Sequence, residues 1–127
     1  MSRVAGNGEG LAPPAGPYSP SVRVGAIVAC SGQAAIDADG QIVRAGIEEQ
    51  TALTLTNVVA ALAASGATPA DVLHVRVYLT DVAHFAAMNE VYRQFFDDPY
   101  PARTTVYVGL PEGLLVEVDA LAAVGEQ

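Results

Sequence analysis

The sequence predicts an α+β domain in the order β-β-α-β-α-β-β, with two helices on one face of a mixed sheet. Three observations predict it. Two segments repeat apolar residues at three- and four-residue intervals, others alternate apolar and polar residues, and Gly or Pro marks the junctions. Two amphipathic helices need one shared apolar surface, which one face of a sheet supplies. We therefore expect one domain over residues 1–127, with a flexible Gly- and Pro-rich lead-in over residues 1–13.

The first half of the chain predicts a strand, a hairpin turn and a helix. Residues 22–35 are rich in β-branched side chains, which favours a strand. Asp39-Gly40 then lies between two short apolar segments, a signal typical of a hairpin turn. Residues 47–65 change to helical spacing, and Gly66 follows where a C-terminal cap is expected.

The second half predicts a strand, a helix and two further strands. Residues 72–81 alternate apolar and polar side chains, and Asp81 can cap a helix over residues 82–96. Two strands are expected at 104–110 and 114–124, joined as a hairpin by a Pro-Glu-Gly turn. The apolar stripe expected on the second helix consists of Phe85, Met88, Tyr92, Phe95 and Phe96.

The charge and hydropathy of the chain disfavour binding to nucleic acid and insertion into a membrane. The net charge is −8, lysine is absent and the six arginines are scattered, so binding to a phosphate backbone is disfavoured. No apolar run approaches the roughly 20 residues that span a bilayer. The lead-in has no apolar core of a secretory signal, and Cys30 is the only cysteine, so we expect a cytoplasmic protein with a structural thiol.

Near the C-terminus, an arginine and two acids fall in neighbouring predicted strands. Glu117 and Asp119 share one face of the last strand, because strand side chains alternate. If the hairpin centres near Pro111, Arg103 lies opposite or diagonal to Asp119, whereas a one-residue shift separates them. From spacing alone, Arg103 and Asp119 either form a cross-strand ion pair worth a few tenths of a kcal/mol or line a shared pocket.

Seven short motifs occur in a fixed order: Gly16-Pro17-Tyr18-Ser19, Ser31-Gly32-Gln33, Gln50 with Asn57, Tyr78-Leu79-Thr80-Asp81, Asn89-Glu90-Val91-Tyr92, Pro101-Ala102-Arg103-Thr104 and Val116-Glu117-Val118-Asp119-Ala120. Together they resemble the RidA/YjgF (reactive intermediate deaminase) family over residues 11–124. The resemblance implies a chorismate-mutase-like fold and a homotrimer with an inner barrel and sites between subunits. It also implies hydrolysis of imines, tautomers of enamines released by pyridoxal-phosphate enzymes, to 2-oxo acids and ammonia.

The resemblance also assigns site residues. Arg103 matches the family's substrate-binding arginine, and a planar guanidinium grips a carboxylate with two parallel hydrogen bonds. Asp119 matches the acid that orients and deprotonates the attacking water. Tyr18 matches a pocket-lining tyrosine, while Ser31 and Asn89 match polar residues of the cleft. The alternatives are a strand-end hydroxyl that satisfies backbone groups and an amide that ties protomers together. A small carboxylate is the expected substrate, and no cofactor or metal is expected.

At Asp119 the chain departs from the family pattern, because deaminating members typically have glutamate there. Aspartate retracts the carboxylate by roughly 1.5 Å, one C–C bond. A misplacement of about 1 Å can lower a rate on the order of a hundredfold. Two alternatives to imine hydrolysis therefore stay open. One is a non-catalytic trimer that binds small carboxylates or 2-oxo acids, and the other is a hydrolase of a different subgroup, acting on aminoacrylate, aminomuconate or carbamate-like compounds.

Overall fold

In the part of the chain that the structure describes, six strands form one mixed sheet, and two α-helices pack on one of its faces. The structure is a computed structural model that describes residues 2–8 and 10–125. Helix α1 spans Ile47–Ala63 and helix α2 spans Phe85–Tyr92. The strands are β1 Val4–Ala5, β2 Ser21–Val24, β3 Ile27–Ala34, β4 Val72–Leu79, β5 Ala102–Tyr107 and β6 Val116–Ala123. Their order in the sheet is β1-β2-β3-β6-β4-β5, and only the β4–β5 pair is parallel.

The core lies between the helices and one face of the sheet, which confirms the predicted α+β layers. The buried side chains alternate along β4 and β6 and recur at helical spacing on α1. The other face of the sheet carries exposed apolar side chains, Ile27, Val106 and Leu121, beside polar residues of β4 and β6. A sheet face of this mixed kind remains uncovered by any element of the described chain.

The single strand predicted over residues 22–35 is two strands. Gly25 has φ 58° and allows β2 to turn back onto β3 in an antiparallel pair. The turn predicted at Asp39-Gly40 is present, but the flanking residues do not form two strands. They form a single isolated bridge, between Ile36 and Ile42. Two residues of the expected lead-in, Val4–Ala5, pair with β2, so that part of the segment lies in the sheet.

Helix α2 is shorter than predicted. A 3-10 turn over Val82–His84 precedes it, and the Asp81 carboxylate accepts a hydrogen bond from the Ala83 N–H at 2.8 Å, as expected of a cap. The residues of the predicted apolar stripe differ in their burial. Met88, Tyr92 and Phe96 are buried, whereas Phe85 is 39% exposed.

The predicted hairpin between the last two strands is wrong. Strand β6 inserts between β3 and β4, while β5 lies at the edge of the sheet, parallel to β4. A central position buries Val116, Val118, Ala120 and Ala122 on the core face of β6. The edge position suits β5, because it follows a proline and exposes most of its side chains.

Gln50 on α1 forms hydrogen bonds with the segment that precedes the helix and with the segment that precedes β6. It is 1% exposed, and its amide donates to the carbonyls of Val43 and Gly113 and accepts from the Leu115 N–H, all at 2.8–2.9 Å. Asn57 similarly donates to the carbonyls of Ala34 and Ile36. Both family-motif amides therefore satisfy buried backbone groups.

Replacing Gln50 with alanine is expected to lower the free energy of unfolding by about 3 kcal/mol, because three backbone groups lose their partner. Urea unfolding followed by circular dichroism measures the change. The matched control is Glu49→Ala, which removes an exposed side chain from the same helix turn. Equal unfolding midpoints for the two variants would contradict this role for Gln50.

Candidate functional site

A β-bulge in β3 places Asp119 at the centre of one cleft. Cys30 pairs with Ala120 and Gln33 with Val118, so Ser31 and Gly32 both lie opposite Asp119. A bulge bends the strand and redirects its side chains, as is common beside active sites. The resulting cleft, here called the carboxylate cleft, has a volume of about 460 Å³. Its lining residues are Tyr18, Cys30, Ser31, Gly32, Arg76, Glu117 and Asp119.

Two side chains of β4 hold the Asp119 carboxylate. Arg76 lies opposite Asp119 in the sheet, and its Nε donates to Oδ1 at 2.8 Å. The Tyr78 hydroxyl donates to Oδ2, also at 2.8 Å. The hydrogen bond to Asp119 raises the pKa of Tyr78, so its hydroxyl keeps its proton at neutral pH. Asp119 is thus fixed through both oxygens, with its side chain only 16% exposed.

Glu117 lies beside Asp119 on the same face of β6, as the alternation of strand side chains predicts. Its carboxylate packs so closely against Gly32 that a Cβ there would lie 2.5 Å from Oε2. Glu117 also lines a second cavity of about 220 Å³ beneath residues 11–15. Burial and, secondarily, the charge of Asp119 raise the pKa of Glu117. Burial therefore disfavours the ionised form of Glu117.

Tyr18 and Ser31 reach the carboxylate cleft in different ways. Tyr18 is 51% exposed at its rim. The Ser31 hydroxyl donates to the Ser19 carbonyl at 2.5 Å, and the Ser31 N–H donates to the Pro20 carbonyl at 2.9 Å. This is the backbone-satisfying alternative considered for Ser31. It also holds the segment that carries Tyr18 against the bulge.

Arg103 lies in a separate pocket near the edge strand. Its guanidinium carbon is 4.7 Å from the centroid of the Tyr92 ring and 5.7 Å from that of Phe85. Such stacking orients a guanidinium without neutralising it. No acidic side chain in residues 2–8 and 10–125 forms an ion pair with Arg103. The arginine pocket, about 310 Å³, is lined by Asn89, Tyr92, Arg93, Tyr100, Pro101 and Arg103.

Two buried polar atoms of the arginine pocket have no hydrogen-bond partner among the described residues. They are Oδ1 of Asn89 and the hydroxyl of Tyr92. Burial raises the pKa of Tyr92 to about 12, against an opposing effect of Arg103, so the hydroxyl remains a donor. Buried polar atoms are nearly always paired in native proteins. The arginine pocket therefore contains a buried amide oxygen and a buried hydroxyl that no described residue engages.

Within one chain, Arg103 and Asp119 do not share a pocket, which corrects the prediction. Arg103 pairs with Val75, whose side chain points to the helix layer, whereas Asp119 pairs with Arg76 on the opposite face. The prediction failed because it assumed that β5 pairs with β6. The five predicted site residues thus lie at two separate pockets: Tyr18, Ser31 and Asp119 at the carboxylate cleft, and Asn89 and Arg103 at the arginine pocket.

Among residues 2–8 and 10–125, the other reactive side chains are not arranged as a metal or thiol site. Burial, with the charge of Asp119, raises the pKa of Cys30 to about 12, so the thiol stays protonated. Among the described residues, no group of three or more His, Cys, Asp or Glu side chains is placed to hold a metal ion. No helix of that part of the chain is long and apolar enough to span a membrane.

Sequence reasoning missed the partners of the site residues. Arg76 and Tyr78 alternate with the core residues of β4. This polar face of the strand could have indicated that they contact the acids of a neighbouring strand. Tyr92 was predicted only as an apolar core residue. A tyrosine in a buried stripe carries a hydroxyl that needs a partner, which distinguishes it from the phenylalanines around it.

Comparison with known proteins gives consistent matches along nearly the whole chain. The model of a family described as Endoribonuclease L-PSP matches residues 9–124. A Schizosaccharomyces pombe protein named mmf2, mitochondrial, is 44% identical over 112 residues, covering 85% of this chain and 88% of that one. A Capra hircus protein named 2-iminobutanoate/2-iminopropanoate deaminase is 41% identical over 112 residues, covering 87% and 82%.

A solved structure extends these matches to the fold. The crystal structure of Escherichia coli TdcF with bound serine superposes with a TM-score of 0.88 at 35% identity. The match covers 96% of this chain and 99% of that one. Serine carries a carboxylate on the carbon that also bears its amino group, so the bound compound in that protein belongs to the small amino acids.

Proposed function

The chain belongs to the RidA/YjgF family, and on this premise we propose that it hydrolyses 2-imino acids, the tautomers of 2-aminoacrylate-type enamines, to 2-oxo acids and ammonia. The observation that carries the proposal is a pair of complementary half-sites, the arginine pocket and the carboxylate cleft. The arginine pocket presents an unneutralised arginine with buried polar atoms that lack partners among the described residues, and the carboxylate cleft presents Asp119, whose carboxylate is fixed by two hydrogen bonds. Hydrolysis of a small anionic substrate requires both, because a cation binds the anion and a carboxylate orients the attacking water.

A homotrimer with sites between subunits would join the two half-sites. Because Arg103 and Asp119 lie on opposite faces of one sheet, a second copy must bring its arginine pocket to the carboxylate cleft. The uncovered sheet face supports such an assembly, since Ile27 and Leu121 are 48% and 42% exposed there. An assembly of this kind also removes apolar surface from water.

Arg103 would hold the substrate carboxylate. The Tyr92 and Phe85 rings fix its plane, so its paired N–H donors are preorganised for a carboxylate. Asn89 Oδ1 and the Tyr92 hydroxyl supply a further acceptor and donor for the substrate or for the neighbouring chain. Holding the carboxylate fixes the imine carbon in space, and positioning of this kind is a large part of catalysis.

Asp119 would orient the attacking water. Each carboxylate oxygen accepts one hydrogen bond within the chain and keeps lone pairs for a second donor. Water adds to the imine carbon, the C=N electron pair moves to nitrogen, and a proton passes from water to nitrogen. The resulting carbinolamine releases ammonia as its hydroxyl becomes the carbonyl of the 2-oxo acid. Tyr18 at the rim would close the cleft.

A coupled assay tests the proposal. A dehydratase generates 2-aminoacrylate from serine, and pyruvate release is followed with and without the protein. We expect the wild-type protein to accelerate release, while an equal amount of Arg103→Ala protein does not. Release at the spontaneous rate in the presence of the wild-type protein would refute the activity.

A non-catalytic binder is the second candidate function. It is favoured by one observation: both oxygens of Asp119 are already engaged by Arg76 and Tyr78. Calorimetry with 2-oxobutanoate distinguishes the two functions when combined with the assay. Tight binding without turnover would support the binder, whereas turnover supports the hydrolase.

The remaining expectations concern partners and location. The family description includes the word endoribonuclease, but we propose no nucleic-acid partner, because a net charge of −8 without lysine opposes binding to phosphates. We propose a cytoplasmic location. The mitochondrial name of the Schizosaccharomyces pombe relative describes that protein.

A further inference from the structure

We propose that the cavity beneath residues 11–15, here called the side-chain cavity, receives the side chain of the substrate. The preferred substrates are then 2-imino acids with an alkyl or thioether side chain of the size found in leucine or methionine. This inference rests on the proposed function and names its substrate class. It also names the reaction that supplies the substrate, which is the oxidation of a neutral aliphatic amino acid.

The side-chain cavity adjoins the carboxylate cleft. Tyr18, Gly32 and Glu117 line both spaces. Gly32 adds no side chain between them, and the Glu117 carboxylate packs against its backbone. A substrate whose imine carbon lies beside Asp119 can therefore extend the group on that carbon into the cavity.

Apolar side chains form most of the lining of the cavity. Leu11, Pro13 and Pro14 line it from the lead-in, and Ile36 and Leu114 line it from the rest of the chain. Leu114 is buried in a second hydrophobic cluster, and Ile36 packs against that cluster. An alkyl or thioether side chain placed here leaves water for apolar surroundings, and each buried CH₂ group strengthens binding about fourfold.

The polar groups of the lining disfavour an acidic substrate side chain. Asn57 Nδ2 donates to two backbone carbonyls, and Gln33 Nε2 donates to a third. Glu117 is an acid, and none of the other described lining residues is an arginine or a histidine. A carboxylate in this cavity would be desolvated beside another acid without a cation to neutralise it. The cavity therefore selects against imino acids derived from aspartate or glutamate.

The volume of the cavity sets the size of the side chain. It is about 220 Å³, and an apolar cavity of about 150 Å³ in a protein is enough to bind benzene. The isobutyl group of a leucine-derived imino acid is smaller than benzene and fits. The methyl group of an alanine-derived imino acid leaves most of the cavity unfilled. The additional buried carbons are expected to favour the larger substrate by about 10- to 60-fold.

The size of the substrate restricts the reaction that supplies it. The enamines of serine and threonine arise by elimination of the hydroxyl on Cβ, whereas leucine and methionine carry no leaving group there. Their imino acids form when one hydrogen is removed from Cα and one from nitrogen, and the two electrons pass to a flavin or nicotinamide cofactor of the supplying enzyme. Water then adds across the C=N bond, ammonia leaves, and the 2-oxo acid keeps the side chain unchanged.

The test compares kcat/KM for the imino acids that amino-acid oxidases in excess generate from alanine, leucine and glutamate, with release of the 2-oxo acid as the readout. We expect kcat/KM for the leucine-derived imino acid to exceed that for the alanine-derived one about 10- to 60-fold, and the glutamate-derived one to be the poorest substrate. Ala12→Phe places a ring in the cavity and should lower the leucine-to-alanine ratio to near unity. Ala63→Phe places the same ring on the exposed end of α1 and should keep the wild-type ratio.

The outcomes separate this inference from the proposed function. No turnover of any of these imino acids, or of the 2-aminoacrylate product, by the wild type overturns both. Turnover with equal kcat/KM for the leucine- and alanine-derived imino acids overturns the inference alone, and so does a wild-type ratio in Ala12→Phe. If Ala12→Phe does not fold, Ala12→Leu fills less of the cavity and should lower the ratio in part. An unchanged ratio in that variant also overturns the inference.

Discussion

Mixing Arg103→Ala chains with Asp119→Asn chains is expected to restore imine hydrolysis that neither variant performs alone. The two side chains lie on opposite faces of one sheet. In the proposed homotrimer, a working site would therefore take each of them from a different copy. In the proposed homotrimer, a trimer that contains both chains has two copies of one and one of the other, so one of its three sites receives both intact residues. Activity near about one third of the wild-type value is therefore expected of the purified mixed trimers.

The experiment requires the two chains to assemble together. Co-expression with two different affinity tags, followed by tandem purification, yields trimers that contain both chains. Mixtures of separately assembled variants serve as the control, since they contain no mixed sites until subunits exchange. Mixed trimers as inactive as either parent would contradict a site shared between copies.

Replacing Arg103 with alanine is expected to lower kcat/KM by about 10²- to 10⁴-fold. Two charge-assisted hydrogen bonds to the substrate carboxylate are lost, each contributing about 1.5–3 kcal/mol. KM should rise because the carboxylate loses its clamp, and kcat should fall because the imine carbon is no longer held in place. Steady-state kinetics in the coupled assay measure both constants.

Two further variants define the role of this arginine. Arg103→Lys keeps the charge but loses the planar fork, so it should recover only part of the lost kcat/KM. Arg3→Ala removes an exposed arginine outside the site and should behave as the wild type. Full activity in Arg103→Lys would show that charge alone is sufficient, and full activity in Arg103→Ala would remove Arg103 from the site.

Local patterns in the sequence predicted the elements of the fold and the faces of its strands. Helical spacing predicted α1, and Gly66 follows it with φ 83°, in the left-handed region expected of a cap. Alternation placed Glu117 and Asp119 on one face of β6, away from the buried Val116 and Val118. These features depend on residues a few positions apart, so the sequence carries them directly.

The motifs predicted the family and a set of candidate site residues, but not their arrangement. The motif Pro101-Ala102-Arg103-Thr104 made Arg103 a candidate, and the motif Val116-Glu117-Val118-Asp119-Ala120 made Asp119 one, because these signals are read along the chain. The contacts of Asp119 with Arg76 and Tyr78 join residues about forty positions apart. No local pattern names such a partner.

Strand pairing was decided only by the tertiary structure. Alternation tells which face of its own strand a side chain occupies, but it does not say which strand lies beside it. A hairpin was the expected pairing of the last two strands, because neighbours in sequence often pair. In the structure, β6 pairs with β3 and β4 instead of β5. This central position buries the whole apolar face of β6, which stabilises it more than a hairpin with the edge strand would. The sequence by itself therefore determined the main elements and the family, and it predicted the candidate site residues, whereas only the long-range packing of the sheet placed Arg103 and Asp119 on opposite faces.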